Sequence, residues 1–218
     1  MLLNRSPSEI VELIIIIVMS LTVHEFAHSL VAIALGDETP RRQGRLTLNP
    51  LAHIDIVGFI MLLIAGFGWA KPVQINPLNL KKPRRDEILI SLAGPTANLL
   101  FAMLAVFIIW LVLVTHALIS RNSISAFGNF MFALVEINIS LAIFNTLPIP
   151  PLDGSHLITP LLGKVNATAA INYFRYGSIA LLAIILIQNF TRFEILPIGR
   201  WTYAIVIWML RLVGIVGG

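Results

Sequence analysis

LTVHEFAHSL, Leu21 to Leu30, sets two histidines and a glutamate in the middle of an apolar run. IIIIVMS (14–20) precedes it and VAIALG (31–36) follows. Together they read as one membrane-crossing helix. An ionisable side chain at the centre of such a helix costs roughly 2.5–3.5 kcal/mol on insertion scales, so three together need a compensating partner. His24 and His28 are four residues apart and share one helix face, a turn apart. Two imidazoles so placed can bind one Zn²⁺. Glu25, rotated by about 100°, is placed to take a proton from water at that ion rather than to ligate it. This is the HExxH arrangement of zinc hydrolases. The competing reading, three polar groups packed in a membrane core, leaves the charge uncompensated.

Composition agrees with a membrane setting. Of 218 residues, 57% are hydrophobic and only 12% charged, against about 25% charged in an ordinary soluble chain. The mean hydropathy is +0.88. The class is an integral membrane protein, and the length suits a single membrane-embedded domain over 1–218. The net charge of +4 comes from basic residues in short loops between apolar runs. It points to loops near anionic lipid rather than to nucleic acid. There are no cysteines, which excludes disulfides and thiolate metal ligands. The first apolar run is too long for a cleavable signal peptide.

Ser6-Pro7-Ser8-Glu9 reads as a capping box opening the first helix, and Gly36 as its stop. A helix of about 29 residues would be roughly 43 Å long, enough to cross a bilayer with tilt. Further apolar runs lie at 56–70, 88–118, 128–147, about 176–190 and about 202–216. The fold class expected is an all-α polytopic membrane protein with five to six transmembrane helices. The 56–70 run is short, and basic residues flank both its ends: Arg41, Arg42 and Arg45 before it, and Lys71, Lys81, Lys82, Arg84 and Arg85 after it. Positive loops belong on the cytosolic side, so the run is expected to be re-entrant, dipping in and returning, with a short true span, which would make six helices, as the alternative.

A catalytic zinc needs a third protein ligand and an open position for water. The acidic candidates are Asp37, Asp55, Asp86 and Asp153, and the remaining histidines are His53, His116 and His156. Asp153 lies in NTLPIPPLDGSH, Asn145 to His156, where Pro148, Pro150 and Pro151 forbid a regular helix. Unwound backbone at the end of a membrane span is a usual place for a site. Gly154 permits a sharp turn after the ligand. His156 competes for the same role, and Asp153 has the alternative reading of a helix N-cap.

HEFAH on a membrane helix, SLAGPTANLL at 91–100 and NTLPIPPLDG at 145–154 resemble the site-2 protease family of intramembrane zinc metalloproteases. The likeness is to a compact subgroup without PDZ or CBS domains. It implies His24, His28 and Asp153 as zinc ligands and Glu25 as the catalytic base, in an endopeptidase that cuts membrane-spanning proteins. It also suggests that Asn145 holds substrate or steadies the oxyanion. A buried amide is equally a helix–helix hydrogen bond, which is the expectation for Asn98 in GPTAN. His53 and Asp55, after the turn-like Asn49-Pro50, are candidate accessory groups, as is His156. Glu136 is a lone acid in an apolar run, expected to be paired or to line a water path. The implied partners are transmembrane protein substrates and the lipid bilayer, with the active site toward the cytosolic side of a prokaryotic plasma membrane. Two other classes are conceivable from the residues: a catalytically silent zinc-binding scaffold or sensor, and a metal or proton transporter.

Overall fold

The computed structural model describes residues 6–65, 68–115, 121–165, 167–191 and 193–215. His116 lies outside them. The regular structure among the described residues is helical, with one isolated antiparallel bridge between Ile54 and Ala70.

The first helix, α1, spans Pro7–Ala34. Its start is the expected capping box: Glu9 N–H donates to Ser6 Oγ at 3.3 Å, and Ser6 N–H donates to Glu9 Oε2 at 2.8 Å. It ends where Gly36 adopts a φ of 111°, a left-handed conformation that a side chain would strain. A four-residue helix, α2, follows at Thr39–Arg42.

Helix α3, Ile56–Ala65, answers the question of the short apolar run. Its ten residues extend only about 15 Å, half the hydrocarbon thickness. The chain then comes back beside its own entry point. Ala70 bridges Ile54, and Lys71 N–H donates to the His53 carbonyl at 2.8 Å. A Cβ on Gly58 would lie 2.2 Å from the Trp69 carbonyl oxygen, so the returning chain fits only because residue 58 has no side chain. Entry and exit share one side, as the flanking charges required.

Helix α4 spans Pro83–Val114 and α5 spans Arg121–Thr146. Then come α6 at Ser155–Val165, α7 at Ala167–Thr191 and α8 at Ile198–Leu212. Helix α6 has no counterpart among the apolar runs. Among the described residues four helices are long and apolar enough to cross a membrane: α1, α4, the 126–146 part of α5, and the 168–191 part of α7. Helix α8, at 15 residues, is shorter than the ~20 a span usually needs.

The core joins α1, α4, α5 and α8 through Ile16, Ala105, Ile109, Val135, Ile139 and Leu210. Helix α7 is largely exposed, as a lipid-facing helix is, and is tied back by Tyr173 Oη donating to the Pro148 carbonyl at 2.8 Å. This packing sets the middle of α1 against α4 and the end of α5.

A candidate metal centre

Helix periodicity puts His24 and His28 on the α1 face that meets α4. Their Nε2 atoms lie 3.0 Å apart, with the rings edge to face at 85°. Asp153 arrives from the far end of α5. The prolines end that helix, the Gly154 N–H donates to the Asn145 carbonyl at 2.7 Å, and the Ser91 hydroxyl donates to the Asp153 carbonyl. A Cβ on Gly154 would lie 2.2 Å from the Thr146 carbonyl oxygen, so the turn closes only around glycine. The result sets Asp153 Oδ2 at 3.0 Å from His24 Nε2 and Asp153 Oδ1 at 3.4 Å from His28 Nε2. These three residues, 24, 28 and 153, are a group whose ligand atoms all lie within 4.8 Å of one another.

The donor set fits a cation. His28 Nδ1 is 2.7 Å from the Ile90 carbonyl and His24 Nδ1 is 2.6 Å from Asn98 Oδ1. Oxygens accept, so in the neutral rings both Nδ1 atoms carry the proton and both Nε2 atoms present lone pairs. Two lone pairs and a carboxylate then face one another. Asp153 Oδ2 is buried without a hydrogen-bond partner despite its 3.0 Å approach to His24. Three acceptors at such distances repel unless a positive charge sits among them. Imidazole, imidazole and carboxylate is a donor set that suits zinc with a coordination position open. The space is kept clear by α4: a Cβ on Gly94 would lie 2.5 Å from both His24 Nε2 and His28 Nε2.

Glu25 is buried on the adjoining face of α1, and its Oε2 accepts the Val73 N–H at 3.1 Å. Val73 belongs to an extended strap, 71–76, which runs on from the hairpin and is pinned to the end of α1. Asp37 does the pinning, accepting from Asn76 N–H at 2.7 Å and Asn79 Nδ2 at 2.8 Å. A cavity of ≈410 Å³ opens beside the strap, lined by Glu25, His28, Val73, Asp153 and His156 among others.

The remaining candidates fall elsewhere. His156 lines that cavity, its ring 5.9 Å from Phe174, and stands outside the three-residue group. His53 is buried, with Nε2 donating to the Thr47 carbonyl at 2.8 Å and Nδ1 without a partner. It lines a separate apolar cavity between α1, α3 and α5. Asp55 caps α3 by accepting the Gly58 N–H at 2.8 Å. Asn145 donates to the Leu141 carbonyl of its own helix at 3.1 Å. Glu136 is exposed on α5. The features that sequence reasoning missed are the oxygen that Asn98 offers to His24, the clearance at Gly94 and the amide of Val73. The first two had a signal: Gly94 and Asn98 are four apart and therefore share one face of α4.

Comparison with known proteins points to a zinc metalloprotease family. The profile of peptidase family M50 matches residues 12–123 and 111–187. YwhC of Bacillus subtilis is 38% identical over 194 residues, covering 86% of this chain and 87% of its own. Rip2 of Mycolicibacterium smegmatis is 29% identical over 205 residues, covering 90% and 72%. Both bear the name "putative zinc metalloprotease". No solved structure matches.

Proposed function

The chain belongs to peptidase family M50, the zinc metalloproteases of the site-2 protease type, and from that premise we propose that it is an intramembrane endopeptidase. Its substrates are membrane proteins cut in or near their transmembrane segments. The single observation that carries the reading is the set of three facing acceptors, His24 Nε2, His28 Nε2 and Asp153 Oδ2, on a predominantly apolar helix and the turn that meets it.

In this reading His24, His28 and Asp153 hold the zinc. Bound zinc supplies Lewis acidity, which activates water near neutral pH and polarises a carbonyl. Glu25 is the general base: its carboxylate takes the proton of the attacking water and passes it to the leaving amine nitrogen. One Glu25 oxygen is held by Val73 N–H, which leaves the other free to work. Asn145, close in sequence to the Asp153 turn, steadies the oxyanion or the substrate backbone with the amide hydrogen its own helix does not use.

A substrate helix has its carbonyls already hydrogen-bonded and must unwind to be cut. Once extended, it can add as a strand to the strap at 71–76, where the Val73 N–H is already committed to Glu25. His24 lies ten residues from the end of α1, about 15 Å along the axis. The exposed Arg41, Arg42, Lys71, Lys81, Lys82, Arg84 and Arg85 flank that end, which supports a cytosolic orientation. A prokaryotic plasma membrane is the setting we infer, and 1–218 acts as one membrane-embedded domain.

The test is cleavage, in liposomes, of a panel of single-span proteins by the wild type and by Glu25→Gln. Fragments made by the wild type alone support the assignment. Equal cleavage by both removes Glu25 from the role of base. Zinc bound by both with no cleavage by either favours the silent scaffold or sensor.

A further inference from the structure

We propose that Asn98 and Asn138 are positioning residues that set the zinc affinity of the site, by holding His24 in its Nδ1–H form. The inference rests on the metal-site reading above and extends it to two side chains that touch none of the three ligand atoms.

The hydrogen bonds behind His24 run in one direction only. Ser20 Oγ donates to the Ile16 carbonyl at 2.7 Å. Its single proton is thereby used, so it accepts from Asn138 Nδ2 at 2.8 Å. Asn138 Nδ2 gives its other hydrogen to the Leu134 carbonyl at 2.9 Å. The Asn138 amide is thus oriented, and its Oδ1 faces Asn98 Nδ2 at 2.7 Å. Asn98 Nδ2 gives its second hydrogen to the Ser20 carbonyl at 3.1 Å. Asn98 therefore offers oxygen, not nitrogen, to His24 Nδ1 at 2.6 Å. His24 Nε2 is left as a lone pair aimed at His28 and Asp153.

Turning either amide over would set donor against donor and acceptor against acceptor. Ser20, Asn98 and Asn138 are all 0% exposed, so no solvent would relieve the mismatch. His28 needs no such relay, because its partner is the Ile90 backbone carbonyl, which cannot turn over. The asymmetry makes His24 the ligand whose state depends on side chains two residues removed. A purely structural account is that Ser20 of α1, Asn98 of α4 and Asn138 of α5 clamp three helices. The two accounts separate at Asn98→Asp, which keeps an oxygen for His24 but loses both donors.

The experiment measures zinc affinity of the full chain in detergent, by competition with a chromophoric chelator, on variants whose helicity matches the wild type. Asn98→Leu is expected to bind zinc ~10–100-fold more weakly, the usual loss for an outer-shell partner, and Asn98→Asp to stay within about threefold of the wild type. Asn138→Leu is expected to weaken zinc by a smaller factor, and to have no effect in the Asn98→Asp background, since a carboxylate presents oxygen whichever way it turns. This second comparison stands even if Asn98→Leu does not fold. Wild-type affinity in Asn98→Leu, an Asn98→Asp as weak as Asn98→Leu, or an Asn138→Leu effect undiminished by Asn98→Asp each overturns the proposal. A wild type that binds no zinc overturns the metal-site reading instead.

Discussion

Val73 and Glu25, 48 residues apart in sequence, are joined by a hydrogen bond of 3.1 Å from the Val73 N–H to Glu25 Oε2. The strap at 71–76 thus does two things: it closes one side of the cavity and fixes the carboxylate that we assign as base. Val73→Pro removes the N–H while keeping extended backbone, which the residue before a proline favours anyway. A hydrogen bond to a charged group contributes about 1.5–3 kcal/mol. Losing it is expected to lower kcat/KM by about tenfold or more, with zinc content unchanged. Paired assays of cleavage and bound zinc check this; a fall in zinc alone would place Val73 in metal binding rather than in orienting the base.

Removing the metal separates ligand from neighbour. Chelation is expected to abolish cleavage and added zinc to restore it. Asp153→Ala leaves two imidazoles and is expected to weaken zinc beyond the ~10–100-fold typical of losing an outer-shell partner. His156→Ala is expected to keep zinc, because His156 stands outside the cluster of ligand atoms. Zinc titration of the two variants decides between them, and the opposite ranking would hand the third position to His156.

Much of this centre was legible because helical and extended periods are local. Four-residue spacing puts His24 and His28 on one face, and three prolines before Asp153 enforce the unwound approach. The charge on both flanks of 56–70 anticipated the hairpin, since both ends had to stay on one side. What was not legible depends on which neighbour a face meets. Asn98 was expected to bridge helices, and it does, through Ser20 and Asn138. Its oxygen also serves His24, and nothing local says that α4 meets α1 at that turn. The grip on Glu25 is a backbone amide, so no side chain announces it. Asp55, weighed as an accessory group, is a helix cap.

Acid sensitivity is expected at the strap before the core. Asp37 is fully buried. Burial opposes its ionisation, but hydrogen bonds from the Thr39 hydroxyl, the Asn79 amide and the Asn76 and Thr39 N–H groups hold its carboxyl below the usual range. A depressed folded-state pKa gives stability that is present above the unfolded value of about 3.9 and is lost as pH falls through the folded value. Strap order, read by hydrogen exchange over 71–79, is therefore expected to persist at pH 5, to begin to weaken below about pH 4 and to be lost as pH falls through the lowered folded value. Asp37→Asn keeps one acceptor and is expected to loosen the strap at all pH values, flattening that profile. An unchanged profile in Asp37→Asn would remove Asp37 as its source.

Gly94→Ala tests the clearance beside the imidazoles. The added Cβ would sit 2.5 Å from His24 Cε1, His24 Nε2 and His28 Nε2, closer than non-bonded atoms approach. Relief by moving the helices is opposed by the network that pins α4 to α1 through Asn98 and Ser20. Relief by turning the rings breaks the Nδ1 bonds to Asn98 and Ile90. Overpacking of this kind costs about 1–3 kcal/mol, and here the rings are the softer partner. The expected outcome is a folded protein with little zinc and no cleavage, read by metal content and helicity on the same sample. A Gly94→Ala protein that binds zinc as the wild type does would mean that α4 stands farther from the histidines than 2.5 Å implies, and the fit of the three acceptors around one ion would have to be redrawn.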